Sequence, residues 1–217
     1  MADSPNDGAD GPITVTIKVA GSAIDDELQI ARVQVDAAVG RLPEAQLVLM
    51  AGSIAENAFP EADGSDFKIG SEISMAAAYG DGSDQDLFKG VIIATRLRIT
   101  RGAPRLELSC IDKAAKLTHT RKSAFYEAKK DSDVMSQILS DAGLSADVTA
   151  TTDTARDILR HICTDWGYLR SLADRNGHVL TVSDGKVTSA PPETDGSAAL
   201  TVTLGVDMIS FDARVDA

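Results

Sequence analysis

Apolar and polar residues alternate along several short segments in the first half of the chain. The clearest is 13–19, "ITVTIKV", in which Ile, Val, Ile and Val occupy every second position. Because successive side chains of a strand point to opposite faces, this period of two predicts a strand with one buried face. The other segments with this pattern are 28–39, 45–50, 67–80, 87–100 and 105–112. Such strands, separated by turn-forming residues, predict an antiparallel barrel or sandwich over residues 13–122.

The pattern changes from strand-like to helical after residue 123. The segment 131–143, "DSDVMSQILSDAG", carries apolar residues four positions apart, which is the spacing of one helical face. That face consists of Val134, Ile138 and Ala142. We expect Asp131 or Ser132 to cap the start of this helix and Gly143 to end it.

A second helix is predicted in 163–187, "CTDWGYLRSLADRNGHVLTVSDGKV". Its apolar stripe consists of Trp166, Leu169, Leu172 and Ala173. We expect Thr164 or Asp165 to cap its first turn, and Asn176 with Gly177 to end it in a left-handed conformation. The pattern therefore predicts that Trp166 packs in a core.

A hairpin follows this helix. Asp184 and Gly185 stand between two short strand-like segments, which is the strongest short-range signal for a type I′ turn. The helices and hairpin together predict an α+β unit over 123–197. A last strand pair is predicted in 199–217, and residues 1–12, rich in Asp, Gly and Pro, are expected to be disordered.

Composition narrows the classes of function. The chain has 217 residues and a formal net charge of −12. This charge argues against nucleic acid as a partner, because phosphate binding needs clustered Lys and Arg. It argues equally against binding to anionic membrane surfaces. No stretch approaches the roughly 20 apolar residues of a membrane-spanning helix.

The residues with catalytic or ligating potential are scattered. His119, His161 and His178 lack the spacing of a metal site, and Cys110 and Cys163 lie far apart and are expected to be reduced thiols. Phosphate-binding glycine loops and a nucleophile elbow are absent from the sequence. The sequence therefore predicts no catalytic, cofactor-binding or metal-binding residue, no cofactor and no enzymatic activity.

Several segments resemble, in their residues and in their order along the chain, the late control D / VgrG family of baseplate hub proteins. They are "LFKGVI" at 87–92, "ELSCIDKAAKL" at 107–117, the run from "DSDVMSQILSDAGL" through "CTDWGYLRSLADRNGHVLTVSDGKV", and the closing "DMISFDARVD". Together they span most of 87–215. One departure is Tyr168, where the family favours phenylalanine.

The resemblance gives these motifs a structural role, and none of their residues is expected to be catalytic. The signature positions are Phe88, Gly90, Asp112, Asp165, Trp166, Leu169, Leu172, Gly177, Asp184 and Gly185.

The resemblance implies a mainly β fold of two tube-type antiparallel β-barrels. The second barrel would be inserted in the chain of the first and would carry the two short helices. On this interpretation, residues 13–122 and 198–217 form the first barrel, and residues 123–197 form the second, an α+β barrel-type domain. The strand near 200–215 would return to complete the first barrel.

The function implied by the resemblance is that of a hub in a contractile phage tail or a type VI secretion-like injection system. Three copies would form a homotrimeric ring that joins the tail tube to the central spike. The implied partners are other copies of the chain, the tail tube protein, the spike protein, baseplate wedge proteins, and a tape measure protein or effector cargo. The particle would be assembled in the cytoplasm, and the chain would be a virion or particle component without membrane insertion.

Three alternatives stay open at this point. The chain could be a tail tube or distal tail component forming hexamers, a tail-associated cell-wall hydrolase, or a monomeric ligand-binding barrel. Members of the family usually continue beyond the region matched here. The sequence is thus expected to be either a piece of a longer hub or a compact hub whose spike is a separate protein.

Overall fold

A computed structural model describes most of the chain. It covers residues 11–25, 27–52, 59, 67–80, 82–100, 104–194, 196, 198, 200–206 and 208–214. The predicted N-terminal tail lies, up to residue 10, outside the described residues, as does most of the loop between the third and fourth predicted strands.

The described residues form a mainly β structure with two α-helices. The strands are β1 (Ile13–Val19), β2 (Ser22–Ala23), β3 (Ile30–Asp36), β4 (Glu44–Met50), β5 (Glu72–Tyr79), β6 (Gln85–Arg98), β7 (Arg105–Ile111), β8 (Arg121–Lys129), β9 (Ser145–Val148), β10 (Arg156–Thr164), β11 (Val179–Ser183) and β12 (Lys186–Ala190). The α-helices are α1 (Asp131–Asp141) and α2 (Asp165–Arg175), and a 3-10 helix spans Lys113–Thr118. The mainly β class and both predicted helices are confirmed.

The first seven strands form one antiparallel sheet with the order β2-β1-β5-β6-β7-β4-β3. All six strands predicted from the alternation are present in it, and β2 is an additional two-residue strand. Within the described residues β2 and β3 are edge strands, so the sheet is open here and the expected closed barrel is not observed. The free side of β3 is where a further strand would be needed for closure.

The first sheet buries an aliphatic core on one face. On β4 and β7 every second residue is buried, as the period of two requires. The most deeply buried members of this core are Leu47, Leu49, Met75, Ile92, Leu106 and Leu108. Because aromatic residues are scarce in this chain, branched and unbranched aliphatic side chains fill the space.

Two smaller sheets and both helices form the second unit. β8 and β10 pair as an antiparallel ribbon, and β9, β12 and β11 form a three-stranded sheet. The β11–β12 hairpin is antiparallel, as predicted. The pairing of β12 with β9 is parallel, so the expectation of a purely antiparallel second barrel is wrong in this part. The long connection from β9 to β12, which contains β10, α2 and β11, lets the two strands run in the same direction.

The caps of the two helices follow the prediction only in part. Thr164 caps α2 by accepting a hydrogen bond from the Gly167 N–H at 3.1 Å, and Gly177 ends this helix at a φ of 65°. The predicted cap of α1 is wrong, because its N-cap residue is Lys130. The Asp133 carboxylate accepts a hydrogen bond from the Lys130 N–H at 3.1 Å, which satisfies one backbone donor at this terminus.

Both predicted helical stripes pack into a second core. Its members on the helices are Val134, Met135, Ile138, Leu139, Trp166, Leu169, Leu172 and Ala173. Ala114 and Leu117 of the 3-10 helix also belong to it, so the segment that follows β7 already packs on the second unit. The two cores thus meet where the chain passes from β7 into the 3-10 helix.

The C-terminal segment differs from its prediction. In the described part of 200–214 the chain contains one isolated bridge, Leu204 with Met208, and not the strand pair expected there. Its apolar side chains are exposed: Leu200, Val202, Leu204, Val206, Ile209 and Phe211. The membership of residues 198–217 in the first barrel stays a prediction.

Replacing Trp166 by alanine is expected to disrupt the second unit. The Trp166 side chain is 9% exposed and lies in the second core, so its removal should cost about 3 kcal/mol or more. Urea unfolding followed by circular dichroism measures this loss. The matched control is Arg170→Ala on the exposed face of the same helix, which should change stability by less than about 0.5 kcal/mol. A Trp166→Ala protein that unfolds like the parent would contradict this assignment.

Candidate functional site

The described histidines and cysteines do not gather into a group that could hold a metal ion. No group of three or more His, Cys, Asp or Glu side chains in the described part of the chain could hold a metal ion. Cys110 and Cys163 are free thiols, and burial raises the pKa of Cys110 to about 12, which keeps it protonated at neutral pH. No helix within the described ranges is long and apolar enough to cross a membrane.

His178 begins the predicted strand directly after a helix end, a position that predicts a surface or half-buried side chain. It is instead buried, and its Nδ1 lies 3.2 Å from the Ser189 hydroxyl of β12. His119 and His161 are exposed. The His178–Ser189 contact fixes the end of α2 against the hairpin, which is a packing role.

Five of the signature residues lie at or beside the junction between the two units, namely Phe88, Gly90, Asp112, Asp184 and Gly185. Asp112 directly follows β7, and its side chain is 1% exposed. One carboxylate oxygen accepts a hydrogen bond from the Ala114 N–H at 2.7 Å and so caps the 3-10 helix. The other oxygen accepts a hydrogen bond from the Gly185 N–H at 3.1 Å, across 73 positions of sequence. A single carboxylate therefore joins the first sheet to the β11–β12 hairpin.

The left-handed conformation of the hairpin turn directs the Gly185 N–H towards Asp112. Asp184 has a φ of 50° and Gly185 a φ of 70°, as the predicted type I′ turn requires. A Cβ atom on Gly185 would contact Leu144 and Lys113 at 3.6 Å. The left-handed conformation thus favours glycine at this position more strongly than the available space does.

Phe88 and Gly90 lie on β6, on the side of the junction that belongs to the first sheet. Phe88 is buried in the first core. A Cβ atom on Gly90 would lie 2.3 Å from the Ile111 carbonyl oxygen and 2.6 Å from the Phe88 ring. Glycine is therefore required here, since it allows β6 to approach the end of β7 just before Asp112.

Ion pairs surround this junction. Lys89 lies 2.6 Å from Asp86 and 3.7 Å from Asp184 of the hairpin, and Lys113 lies 2.9 Å from Glu72. The hydrogen bond with Asp86 raises the pKa of Lys89, and the one with Glu72 raises the pKa of Lys113. These partners are exposed, so they contribute little stability by themselves. The buried hydrogen bonds of Asp112 are the stronger connection.

Asp165, at the first turn of α2, is part of a buried ion pair. Arg160 of β10 is fully buried and donates a hydrogen bond to Asp165 at 2.5 Å and another to the Cys163 carbonyl at 2.8 Å. Burial alone would lower the pKa of Arg160, but these hydrogen bonds outweigh it and raise the pKa. The guanidinium also lies 5.1 Å from the ring centre of Tyr168.

A second buried charge fixes the start of α1. Asp131 is fully buried, and it accepts hydrogen bonds from Arg156 at 2.7 Å and from Asn176 at 2.9 Å. It therefore ties the first turn of α1 to β10 and to the end of α2. Arg160 and Arg156 carry no signal in the sequence that sets them apart, because isolated arginines are ordinarily surface residues.

The first sheet also borders an apolar cleft of about 760 Å³. Its walls come from β1, β5 and the start of β6 on one side and from β3 on the other. The apolar lining residues are Ile13, Val15, Val33, Val35, Ala77, Ala78, Tyr79 and Leu87. The cleft lies beside the free edge of β3, where the sheet is open.

Replacing Asp112 by alanine is expected to weaken the junction. Two buried backbone N–H groups, of Ala114 and Gly185, would lose their acceptor, which should cost about 3 kcal/mol. Differential scanning calorimetry should show a lower melting temperature or two separate transitions. The control is Asp174→Ala, an exposed aspartate on α2, which should melt within a few degrees of the parent. A single transition at the parental temperature in Asp112→Ala would contradict the connecting role of this carboxylate.

The fold is shared with solved tail and injection-system proteins. The 43 kDa tail protein of prophage MuSo2 from Shewanella oneidensis superposes with a TM-score of 0.69 at 14% identity, over 90% of this chain and 58% of that one. A tail protein from Neisseria meningitidis gives 0.60 at 16% identity, over 87% and 56%. A chain of the PdpA–VgrG complex from Francisella gives 0.56 at 11% identity, over 84% and 29%.

These superpositions support the expected likeness to phage tail and VgrG-like proteins at the level of the fold. The chain spans somewhat more than half the length of the first two structures and less of the third. No curated protein is significantly similar to it in sequence. A family model does match, and it covers residues 9–217, which is nearly the whole chain. The chain belongs to the family of the Alg8 N-terminal domain.

Proposed function

We propose that this chain is a structural hub of a contractile phage tail or injection-system baseplate, where three copies form a ring between the tail tube and the spike. The observation that carries the proposal is the match of 90% of the chain to a prophage tail protein at a TM-score of 0.69. A match over 90% of the chain must include parts of both the first sheet and the second unit, which supports a common arrangement of the two.

The internal polar chemistry supports a structural rather than an enzymatic role. Asp112, Asp131 and Arg160 are the kind of buried charged groups that often mark active sites. Here each of them is engaged with backbone or side-chain partners that join one element to another. Their hydrogen bonds hold the two helices and the hairpin in place, which is what a component under mechanical load requires.

We infer further that the C-terminal segment completes the first sheet when the hub is assembled. Leu200, Val202 and Leu204 alternate with polar residues, as in a half-buried strand, and the cleft beside β3 is apolar. A strand laid along the free edge of β3 would bury its apolar face in the cleft and satisfy the unpaired backbone groups of that edge. Residues 198–217 would then belong to the first barrel.

Measuring the oligomeric state of the purified chain tests the proposal that three copies form a ring. Sedimentation equilibrium of the purified chain should give a mass that rises with concentration towards about 68 kDa, three times the 22.8 kDa of one chain. A mass near 137 kDa, six times that of one chain, would favour a hexameric tube or distal tail component instead. A protein that stays monomeric at every concentration would contradict the ring.

Substitutions on the two faces of the C-terminal segment test its docking. Val202→Asp would place a carboxylate in the apolar cleft and should lower the free energy of unfolding by about 2 kcal/mol or more. The matched control is Thr201→Asp on the opposite face of the strand, which should change it by less than about 0.5 kcal/mol. Urea titration of both variants is carried out at concentrations at which the chain is assembled. Equal stabilities would contradict docking, because in an undocked segment both positions remain in water.

A further inference from the structure

Asn176 caps the end of α2 and is followed directly by Gly177. The asparagines of the chain are Asn6, Asn57 and Asn176, and only Asn176 precedes a glycine. Asparagine is a chemically labile residue, and it is most labile before glycine, because glycine has no Cβ to keep its backbone nitrogen away from the neighbouring amide. The sequence therefore places a reactive pair at the end of a helix.

Deamidation of this pair needs only water as a co-reactant. The backbone nitrogen of Gly177 forms a bond to the side-chain carbonyl carbon of Asn176, and the bond from that carbon to the amide nitrogen breaks. Ammonia leaves with the proton that the backbone nitrogen gives up. Water then opens the cyclic imide at one of its two carbonyl groups, so the product is aspartate or isoaspartate at position 176.

The folded structure holds both reacting groups in other contacts. The Asn176 amide nitrogen donates one hydrogen bond to the Asp131 carboxylate at 2.9 Å and another to the Leu172 carbonyl at 2.8 Å. The Gly177 N–H donates to the Asp174 carbonyl at 3.3 Å. Attack requires both groups to leave these partners and to turn towards each other. The helix end therefore protects the pair for as long as it is folded.

The surroundings of the amide make its replacement by an acid unfavourable. Asp131, which accepts from Asn176, is buried at the first turn of α1. Arg156 and Arg175 lie 2.7 Å and 3.6 Å from its carboxylate, but Arg156 also pairs with Asp153. A carboxylate at position 176 would remove a donor from Asp131 and leave three carboxylates facing two cations. Like charges held together in a buried site oppose folding.

We propose that Asn176–Gly177 is a latent deamidation site, which reacts when the second unit unfolds and then prevents this unit from refolding. In the unfolded chain the amide and the glycine nitrogen are released from their partners, and the product carboxylate no longer fits beside Asp131. Isoaspartate also lengthens the backbone by one methylene group, just before Gly177 takes a φ of 65° to end the helix. A reversible unfolding event thus becomes a permanent loss of the subunit.

Mass spectrometry of the full chain tests the protection of the folded state. The chain is kept at mildly alkaline pH with and without guanidinium chloride, and a peptide containing residues 176 and 177 is followed for conversion of its amide to an acid. Conversion should be at least about tenfold faster in denaturant than in the folded chain. Asn57, which precedes alanine, is the internal control and should convert more slowly than Asn176 in denaturant. Equal rates at Asn176 with and without denaturant would overturn the protection.

The refolding yield tests the consequence. Chains held in denaturant for increasing times are diluted into buffer, and the refolded fraction is measured by circular dichroism. This fraction should fall in step with deamidation at Asn176. The matched variant is Gly177→Ala, whose methyl group slows the attack, so its yield relative to its own starting value should stay nearly constant over the same time. A yield that falls equally in both proteins would overturn the link between deamidation and loss of refolding.

Exchange of the two contacting side chains tests the role of charge. Asn176→Asp reproduces one product of the reaction and should unfold at a lower urea concentration than the parent. Adding Asp131→Asn to the same chain restores one amide and one carboxylate at the contact, and should move the midpoint back towards the parental value. An Asn176→Asp chain as stable as the parent would overturn the proposed block to refolding. Failure of the double variant to recover would overturn its assignment to like charges at Asp131.

Discussion

The Asp112 carboxylate is the contact on which the arrangement of this protein depends. It is buried where the first sheet passes into the second unit, and its two oxygens accept backbone hydrogen bonds from the 3-10 helix and from the β11–β12 hairpin. Since a buried carboxylate without donors is strongly unfavourable, the hairpin must stay where Gly185 can reach it. The left-handed turn at Gly185 presents this donor, and β6 approaches the end of β7 closely at Gly90, just before Asp112.

Buried charges hold the second unit together in a similar way. Arg160 connects β10 to the first turn of α2, and Asp131 connects the first turn of α1 to the end of α2. Residues of this kind are ordinarily the first candidates for catalysis. Their partners here are structural, and the polar groups are consumed in fixing the orientation of the helices.

Three parts of the outer surface expose apolar side chains that a partner could cover. The free edge of β3 beside the apolar cleft, the far half of β6 and the outer face of the β8–β10 ribbon all expose apolar side chains. A monomer rarely retains several such surfaces, because each favours aggregation. Their presence on a fold shared with tail and VgrG-like proteins is consistent with a subunit of a larger assembly.

The sequence by itself determined the local features of this protein. The period of two located the six main strands of the first sheet, the helical stripes located α1 and α2, and the Asp184–Gly185 pair located the hairpin turn. These features depend on neighbours within a few positions, which a pattern can contain. The cap of α1 was misassigned because Asp131, a good cap residue, is drawn into the helix by Arg156 and Asn176.

Only the tertiary structure decided which of these elements contact one another and which residues become buried between them. The contact between Asp112 and Gly185, the parallel pairing of β9 with β12, and the burial of Arg160 and His178 join positions that lie on different elements. Composition and periodicity describe each segment separately and carry no information on such pairings. The sequence therefore singled out Asp112, Asp184 and Gly185, but only the folded chain brings them into contact.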